Sequence, residues 1–364
     1  MSVYRTDTDR GAALLDRAAG HGADLAFTSL HLPEDSPAGA RVAVQALAGT
    51  ARDCGLELVA DIAPRTRDLL GGADAWQFLA RAGVGRLRLD DGFGPAEAAE
   101  IARHLPLARN ASTEPPPGPR AEAGDVLGVH NFYPRRGTGL ALATVRTSAS
   151  AWQADGLALG AFVSGDARRR GPLGHGLPTV EEHRDAAPAA QAAALLAAGC
   201  DIVLVGDPDL SRRALHDLAR LARDGTVTLR VVPVPGLPRG LLDAVTGPDR
   251  NRPDAAAQHL RLVGSRDRLA PAVLPPVGGQ PRPRGSVTVD LDDAGRYRGE
   301  VRVTLVDLPG DPTVAVVATV PAVWLPALDA VGAGQRVHLA PLGADLSEAE
   351  RTQDGTRADG PGAY

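Results

Sequence analysis

Up to residue 225, short apolar runs alternate with amphipathic stretches rich in Ala and Leu. The runs with strand character are Ser2–Tyr4, Leu25–Ser29, Glu57–Ile62, Gly85–Leu89, Leu107–Asn110, Val126–His130, Leu157–Val163 and Ile202–Val205. Between them, helical spacing of apolar positions marks Asp9–Ala19, Ala38–Cys54, Arg67–Ala82, Pro95–His104, Ala141–Ala154, Val180–Gly199 and Ser211–Arg223. The connection from Glu114 to Gly124 carries four prolines, so any helix there is short or irregular. Strands separated by helical crossovers predict a parallel sheet. Eight of them in this length predict a (β/α)8 TIM barrel in preference to an open sheet.

From Gly236 the rhythm changes. A connector holding Arg250-Asn251-Arg252-Pro253-Asp254 and a proline-dense segment, Pro271 to Pro283, precede period-two alternation at Ser286–Asp290, Glu300–Val306, Val314–Val320 and Gln335–Leu339. That pattern predicts a small antiparallel all-β domain. Ala344 to Tyr364 is acidic and non-periodic, the composition of a disordered tail. The expected organisation is therefore a barrel over 1–235, a β domain over 236–345 and a tail over 346–364.

Composition narrows the function classes. Hydrophobic residues make up 44% of the 364, enough for full cores, but aromatics are only 3%, so Ala, Val and Leu must do the packing. All 39 basic residues are Arg. The absence of Lys excludes Schiff-base chemistry. A net charge of −5 speaks against a nucleic-acid binder, which would show a basic face. Cys54 and Cys200 have the setting of small reduced core residues, not of a disulfide or metal site. The N-terminal residues lack the apolar core of a signal peptide, and no apolar run approaches the ~18 residues of a membrane span. The expectation is a soluble, cytoplasmic protein that touches neither membrane nor nucleic acid and leaves room for a homodimer.

The strand ends carry the chemistry. In order they present Tyr4; Thr28, Ser29 and His31; Asp61; Asp90; Asn110; His130 and Asn131; Ser164 to Asp166; and Asp207. A barrel brings all such ends to one face, where enzymes of this architecture build their sites. The densest stretch follows Val126–Val129: His130, Asn131, Phe132, Tyr133, Pro134, Arg135 and Arg136, leading into Gly137. Any one of these polar residues also serves as a cap or turn former; the set exceeds what capping needs.

Asp61, Asp90, Asp207 and, further along, Glu181 are candidate catalytic carboxylates, since two carboxyl groups across a sugar are the core apparatus of most glycoside hydrolases. Strand positions place Asp90 and Asp207 on opposite sides of the bowl as the working pair, with Asp61 and Glu181 supporting. The competing reading for each is a cap or a salt bridge to Arg65 or Arg88. Arg135, Arg136, Arg168 to Arg170 and His183-Arg184 ring the same bowl, and guanidinium forks suit phosphate or carboxylate. The histidines lack metal-pair spacing, and no glycine-rich phosphate loop occurs, so neither metal nor cofactor is expected.

Taken in order, the motifs resemble one family. They are Thr28-Ser29-Leu30-His31 with Pro33-Glu34-Asp35, Asp61-Ile62-Ala63-Pro64-Arg65, Leu87 to Asp90 with Gly92-Phe93, and Asn110 to Thr113. His130 to Arg135 with Thr138-Gly139-Leu140, Arg170 to Leu173, Gly176 to Thr179, Glu181, His183-Arg184, Gly206-Asp207-Pro208 and Asn251 to Asp254 complete the series. The chain resembles the bacterial 6-phospho-N-acetylmuramidases up to about residue 340. Asp91, Gly174-His175 and Leu291 depart from that pattern. The resemblance implies a TIM barrel followed by a cyclophilin-like domain. It further implies hydrolysis of the β-1,4 bond of a 6-phosphorylated MurNAc-GlcNAc disaccharide in cell-wall recycling. It assigns the two anionic groups of that substrate to Arg135, Arg170, Arg184 and Arg252, with Arg284 as a further arginine and His183 beside Arg184. Asn110, His130, Asn131 and Tyr133 take sugar hydroxyls or the acetamido group. The runner-up activity is non-hydrolytic binding, as in a sensor of phosphorylated amino sugars.

Overall fold

A computed structural model of the chain describes residues 1–4, 8–32, 37–120, 126–275 and 278–343. The expected tail at 346–364 and the Pro33-Glu34-Asp35 motif lie outside these residues. The chain forms two compact units, one of residues 1–185 and 198–215 and another of 186–197 and 216 onward.

In the first unit, β1 (Leu25–Ser29), β2 (Glu57–Ile62), β3 (Arg86–Leu89), β4 (Leu107–Asn110), β5 (Leu127–Val129), β6 (Ala158–Val163) and β7 (Ile202–Val205) form one sheet in strict chain order. Every neighbouring pair is parallel. The sheet is a nearly closed barrel. The N-terminal segment reaches both of its edges: Ser2 bridges Phe27 on β1, while the Ser2 amide donates to Val205 O on β7 at 3.0 Å. The helices follow from spacing. In α2 (Ala40–Asp53), which succeeds α1 (Thr8–Gly20), Ala40, Val44, Leu47, Ala48 and Ala51 are buried, one stripe at 3.6-residue periodicity. Parallel strands are covered on both faces, and stretches such as Leu25–Phe27, Leu58–Ala60 and Ile202–Val205 read as continuous apolar runs. The barrel core is Phe27, Val59, Ala108, Leu127, Val129, Phe162 and Leu204. Phe27 and Phe132 both pack edge-on against Phe162, with centroids 5.0 and 5.2 Å away, so scarce aromatics are concentrated here.

The second unit holds a mixed seven-stranded sheet. Its strands are β8 (Val227–Pro233), β9 (Gly247–Arg250), β10 (His259–Arg261), β11 (Ser286–Asp290), β12 (Val301–Thr304), β13 (Val314–Thr319) and β14 (Arg336–Pro341), ordered β10-β12-β11-β13-β8-β14-β9. β8 lies in the second sheet. One sequence expectation is corrected: that sheet is not purely antiparallel, since β8 pairs in parallel with β14, Val227 opposite Val337 through Val231 opposite Pro341. The partner of β8 lies far downstream, where local patterning carries no sign of it. Arg230 on β8 is buried against Asp217, Nη2 to Oδ2 2.8 Å.

Candidate active site

The first five strands of the barrel deliver a connected set of polar groups. Beyond the strand ends the ladder continues, with Leu30 N donating to Asp61 O and Asp90 N to Ile62 O, each at 2.8 Å. This carries His31, Asp61 and Asp90 to the same rim. Residues two apart on a strand share a face, so Arg88 and Asp90 point the same way. Arg88 Nη1 lies 2.6 Å from Asp61 Oδ1, and His31 Nε2 lies 2.8 Å from Asp61 Oδ2. Burial pushes the Asp61 carboxyl up, but Arg88 and His31 outweigh it and hold the group below its ordinary pKa. Burial likewise works against a charged His31, yet Asp61 and Asp90 leave its pKa above the ordinary value.

Asp90 is the more open of the two carboxylates, 26% exposed against 6% for Asp61. Its Oδ1 accepts from Asn110 Nδ2 at 3.0 Å, and its Oδ2 faces His31 Nε2 at 3.6 Å. Arg88 Nη1 is 3.9 Å from it. Asp90 also lines a groove of about 980 Å3 with Gly92, Phe93, Pro95 and Arg109.

Arg88 spans the interior to β5. Its Nε and Nη2 donate to Val129 O at 3.2 Å, and Nη2 also reaches Asn131 Oδ1. Ser112 joins the neighbouring loops: its amide donates to Asn110 Oδ1 at 3.1 Å, and its Oγ accepts from Asn131 N at 2.8 Å and contacts His130 Nδ1 at 3.2 Å. Alternation puts His130 on the opposite face from the core residue Val129. It is buried, and burial with the Arg88 charge lowers its pKa to about 4, so the ring is neutral. His130 thus braces Ser112 from behind.

The other expected acids hold loops. Asp207 is fully buried; its Oδ2 accepts from Gly165 N at 2.8 Å and Leu177 N at 3.1 Å, and its Oδ1 from Arg170 N at 2.8 Å. Burial pushes its pKa up against those donors. A Cβ on Gly165 would sit 2.9 Å from the Asp207 Cβ, so this clamp needs glycine. Glu181 accepts from Gly137 N and Gly139 N, each at 2.8 Å, and from Arg184 Nε and Nη2 at 2.8 and 2.6 Å. Those contacts, Arg184 foremost, lower its pKa to about 2. Arg184, 2% exposed, spends its remaining donors on Tyr133 O (2.8 Å), Gly176 O (3.1 Å) and Arg135 O (3.2 Å). Asp90 and Asp61 are thus connected through His31 and Arg88, Asp207 and Glu181 hold loop amides, and Arg184 staples the rim loops from within. The reason is local: a carboxylate or guanidinium beside bare loop amides and carbonyls satisfies them first.

Of the remaining residues, Tyr133 is partly buried and Arg135 exposed on the loop that Arg184 pins. Arg170 lies 4.7 Å over the Tyr4 ring, a cation–π contact. His183 is buried. Arg252 and Arg284 belong to the second unit, where they pair with the exposed carboxylates of Asp254 and Asp329.

His31, Asp61 and Asp90 each bring a donor atom within 4.8 Å of the others, a grouping of the kind that can hold a cation. The positive charge facing these carboxylates is supplied by Arg88. Sequence reasoning placed His31 at a strand end and Arg88 as a salt-bridge partner without recognising either as central to the site. The available signal was the Arg88–Asp90 spacing, which puts a cation and an acid on one strand face.

The family comparisons agree over most of the chain. The family model described as 6-phospho-N-acetylmuramidase, N-terminal, matches residues 1–220, and the corresponding C-terminal model matches 228–340. Among solved structures, a conserved protein of unknown function from an Enterococcus faecalis locus is 29% identical, with a TM-score of 0.79, over 98% of this chain and 99% of its own. An uncharacterized B. cereus protein is 25% identical, with a TM-score of 0.75, over 93% and 98%. None of the curated proteins matches.

Proposed function

Given that the chain belongs to the 6-phospho-N-acetylmuramidase family, we propose that it hydrolyses the β-1,4 bond of 6-phosphorylated MurNAc-GlcNAc and releases MurNAc 6-phosphate. The observation that carries this reading is the carboxylate pair at the β2 and β3 ends, one member open and the other buried and fully compensated. Asp90 handles the proton of the glycosidic oxygen, and Asp61 stays ionised behind it. A buried anion matched by Arg88 and His31 supplies a fixed field in which charge develops at little reorganisation cost. In this reading the reaction is metal-independent, and Arg88 supplies positive charge beside the two carboxylates.

In this reading Asn110, Asn131 and Tyr133 meet the sugar, Arg135 and Arg170 meet its anionic groups, and Asp207, Glu181 and Arg184 keep the rim loops in place. The N-terminal segment counts as the eighth strand of a TIM barrel, and the second unit as the family's cyclophilin-like domain. The role is cytoplasmic, in cell-wall recycling, with a small-molecule partner alone. The test is incubation with MurNAc 6-phosphate-GlcNAc and with the unphosphorylated disaccharide, followed by chromatography of the products. Cleavage of the phosphorylated compound alone is expected. Equal or absent turnover overturns the assignment, and binding without turnover points to a sensor.

A further inference from the structure

We infer that Asn131 is a specificity-determining residue whose carboxamide donates to the carbonyl oxygen of the 2-acetamido group beside the scissile C1–O bond. The inference deepens the proposed function and rests on its amino-sugar substrate. Asn131 Oδ1 accepts from Arg88 Nη2. A guanidinium only donates, so the carboxamide oxygen must face Arg88 and the N–H2 group must face away. Arg88 is itself held: it is 2% exposed, with Nη1 on Asp61 Oδ1 at 2.6 Å and Nε on Val129 O at 3.2 Å. The Asn131 backbone is fixed at both ends, its N–H on Ser112 Oγ at 2.8 Å and its carbonyl accepting from Thr179 Oγ1 at 2.9 Å. Phe132, the next residue, packs edge-on against Phe162 with centroids 5.2 Å apart. A donor held this firmly loses little freedom when it binds. Among the described residues nothing accepts from Asn131 Nδ2, and the residue is partly exposed. Asn110 differs: it is 1% exposed, its Oδ1 takes the Ser112 amide at 3.1 Å, and its Nδ2 donates to Asp90 Oδ1 at 3.0 Å.

The setting of that N–H2 group selects its partner. The Arg88 charge is already matched by the buried Asp61 carboxylate, so an anion at Asn131 would find no uncompensated positive charge there. A sugar hydroxyl accepts but brings a proton of its own, and the nearby acceptors, Asn131 Oδ1 and Val129 O, are occupied by Arg88. A free 2-ammonium group brings only donors and a charge of the same sign as Arg88. An amide carbonyl oxygen accepts, carries no proton and is neutral, which meets all three conditions. Its place also fits. Arg88 is a flat fork with Asp61 at Nη1 and Asn131 at Nη2, and Asp90 Oδ1 lies 3.9 Å from Nη1. The C2 substituent of a pyranose neighbours its C1 oxygen in the same way, so one ring can meet Asp90 and Asn131 together.

Asn131→Asp keeps an oxygen toward Arg88 and replaces the outward N–H2 group with a second oxygen. Its kcat/KM on MurNAc 6-phosphate-GlcNAc should fall by on the order of 10²-fold. On the analogue with a free amine in place of the MurNAc acetamido group it should hold or rise, so the preference between the two substrates narrows or inverts. An unchanged preference in the folded variant overturns the inference. Side-chain amide 1H–15N NMR of the full chain reads the contact without turnover, with the Asn131 pair of signals identified by its loss in Asn131→Asp. Saturating MurNAc 6-phosphate should shift that pair downfield, and the same sugar phosphate without its acetyl group should not. Equal shifts with both, or no shift with MurNAc 6-phosphate, overturn the inference. If the wild type fails to cleave the disaccharide, the functional reading falls while the NMR comparison still decides the contact. Should Asn131→Asp not fold, Asn131→Ser supplies both the substrate preference and the signal identification.

Discussion

Arg88 on β3 meets Asp61 at the end of β2 with Nη1 2.6 Å from Oδ1, and the two side chains are 2% and 6% exposed. A pair this buried gains little net stability by existing, yet removing one partner strands the other charge. Arg88→Leu should cost roughly 3–5 kcal/mol and also release Val129 O and Asn131. Chemical denaturation would measure it; a loss below about 1 kcal/mol, typical of an exposed pair, would contradict the buried geometry.

Asp90→Asn keeps the size and the tether to Asn110 but cannot give up a proton. The expected outcome is a kcat lowered by on the order of 10³-fold or more with a thermal midpoint close to wild type, because the residue is partly open. Wild-type turnover of the phosphorylated disaccharide would remove Asp90 from the chemistry.

Asp207→Asn separates clamp from catalyst. One carboxamide arm would turn an N–H2 group toward backbone donors at Gly165, Leu177 or Arg170, leaving buried groups unpaired at about 1–3 kcal/mol each. Thermal melting should fall by several degrees, and limited proteolysis should open 165–177. A stable variant with abolished kcat would instead assign Asp207 to the reaction.

Glu181 makes the rim sensitive to acid. Its folded pKa of about 2 lies below the ordinary 4.5, so its contribution is full above pH 4.5 and is lost as pH falls from 4.5 towards 2. Melting curves of wild type and Glu181→Gln should be separated at pH 7, draw together below pH 4.5 and converge only as pH approaches 2. A constant separation would show that Glu181 is not held by Arg184.

The strand-end positions around the rim are legible in the sequence. The barrel strands at 25–29, 57–62, 107–110 and 202–205 lie where the runs of strand character placed them, because strands covered on both faces are apolar over much of their length. Asp61, Asp90 and Asn110 fall on one rim for the same reason: chain order becomes spatial order in a parallel sheet with helical crossovers. Illegible was which acids keep a free face. Asp61, Asp90, Asp207 and Glu181 look alike as strand-end or loop carboxylates, and hydrogen-bond competition from nearby loop amides separates them only in three dimensions.

The amino-acid sequence by itself determined the alternation of strands and helices, the change of rhythm after the barrel, and the residues at each strand tip. Periodicity and turn chemistry act over a few residues, and those features need nothing more. Only the tertiary structure decided that β8 pairs with β14 about a hundred residues away, that Asp207 and Glu181 are spent on backbone amides, and that Arg88 and His31 surround Asp61. Each of those outcomes depends on distances between segments remote in the chain, where burial makes every unpaired polar atom costly and the nearest donor or acceptor takes the bond.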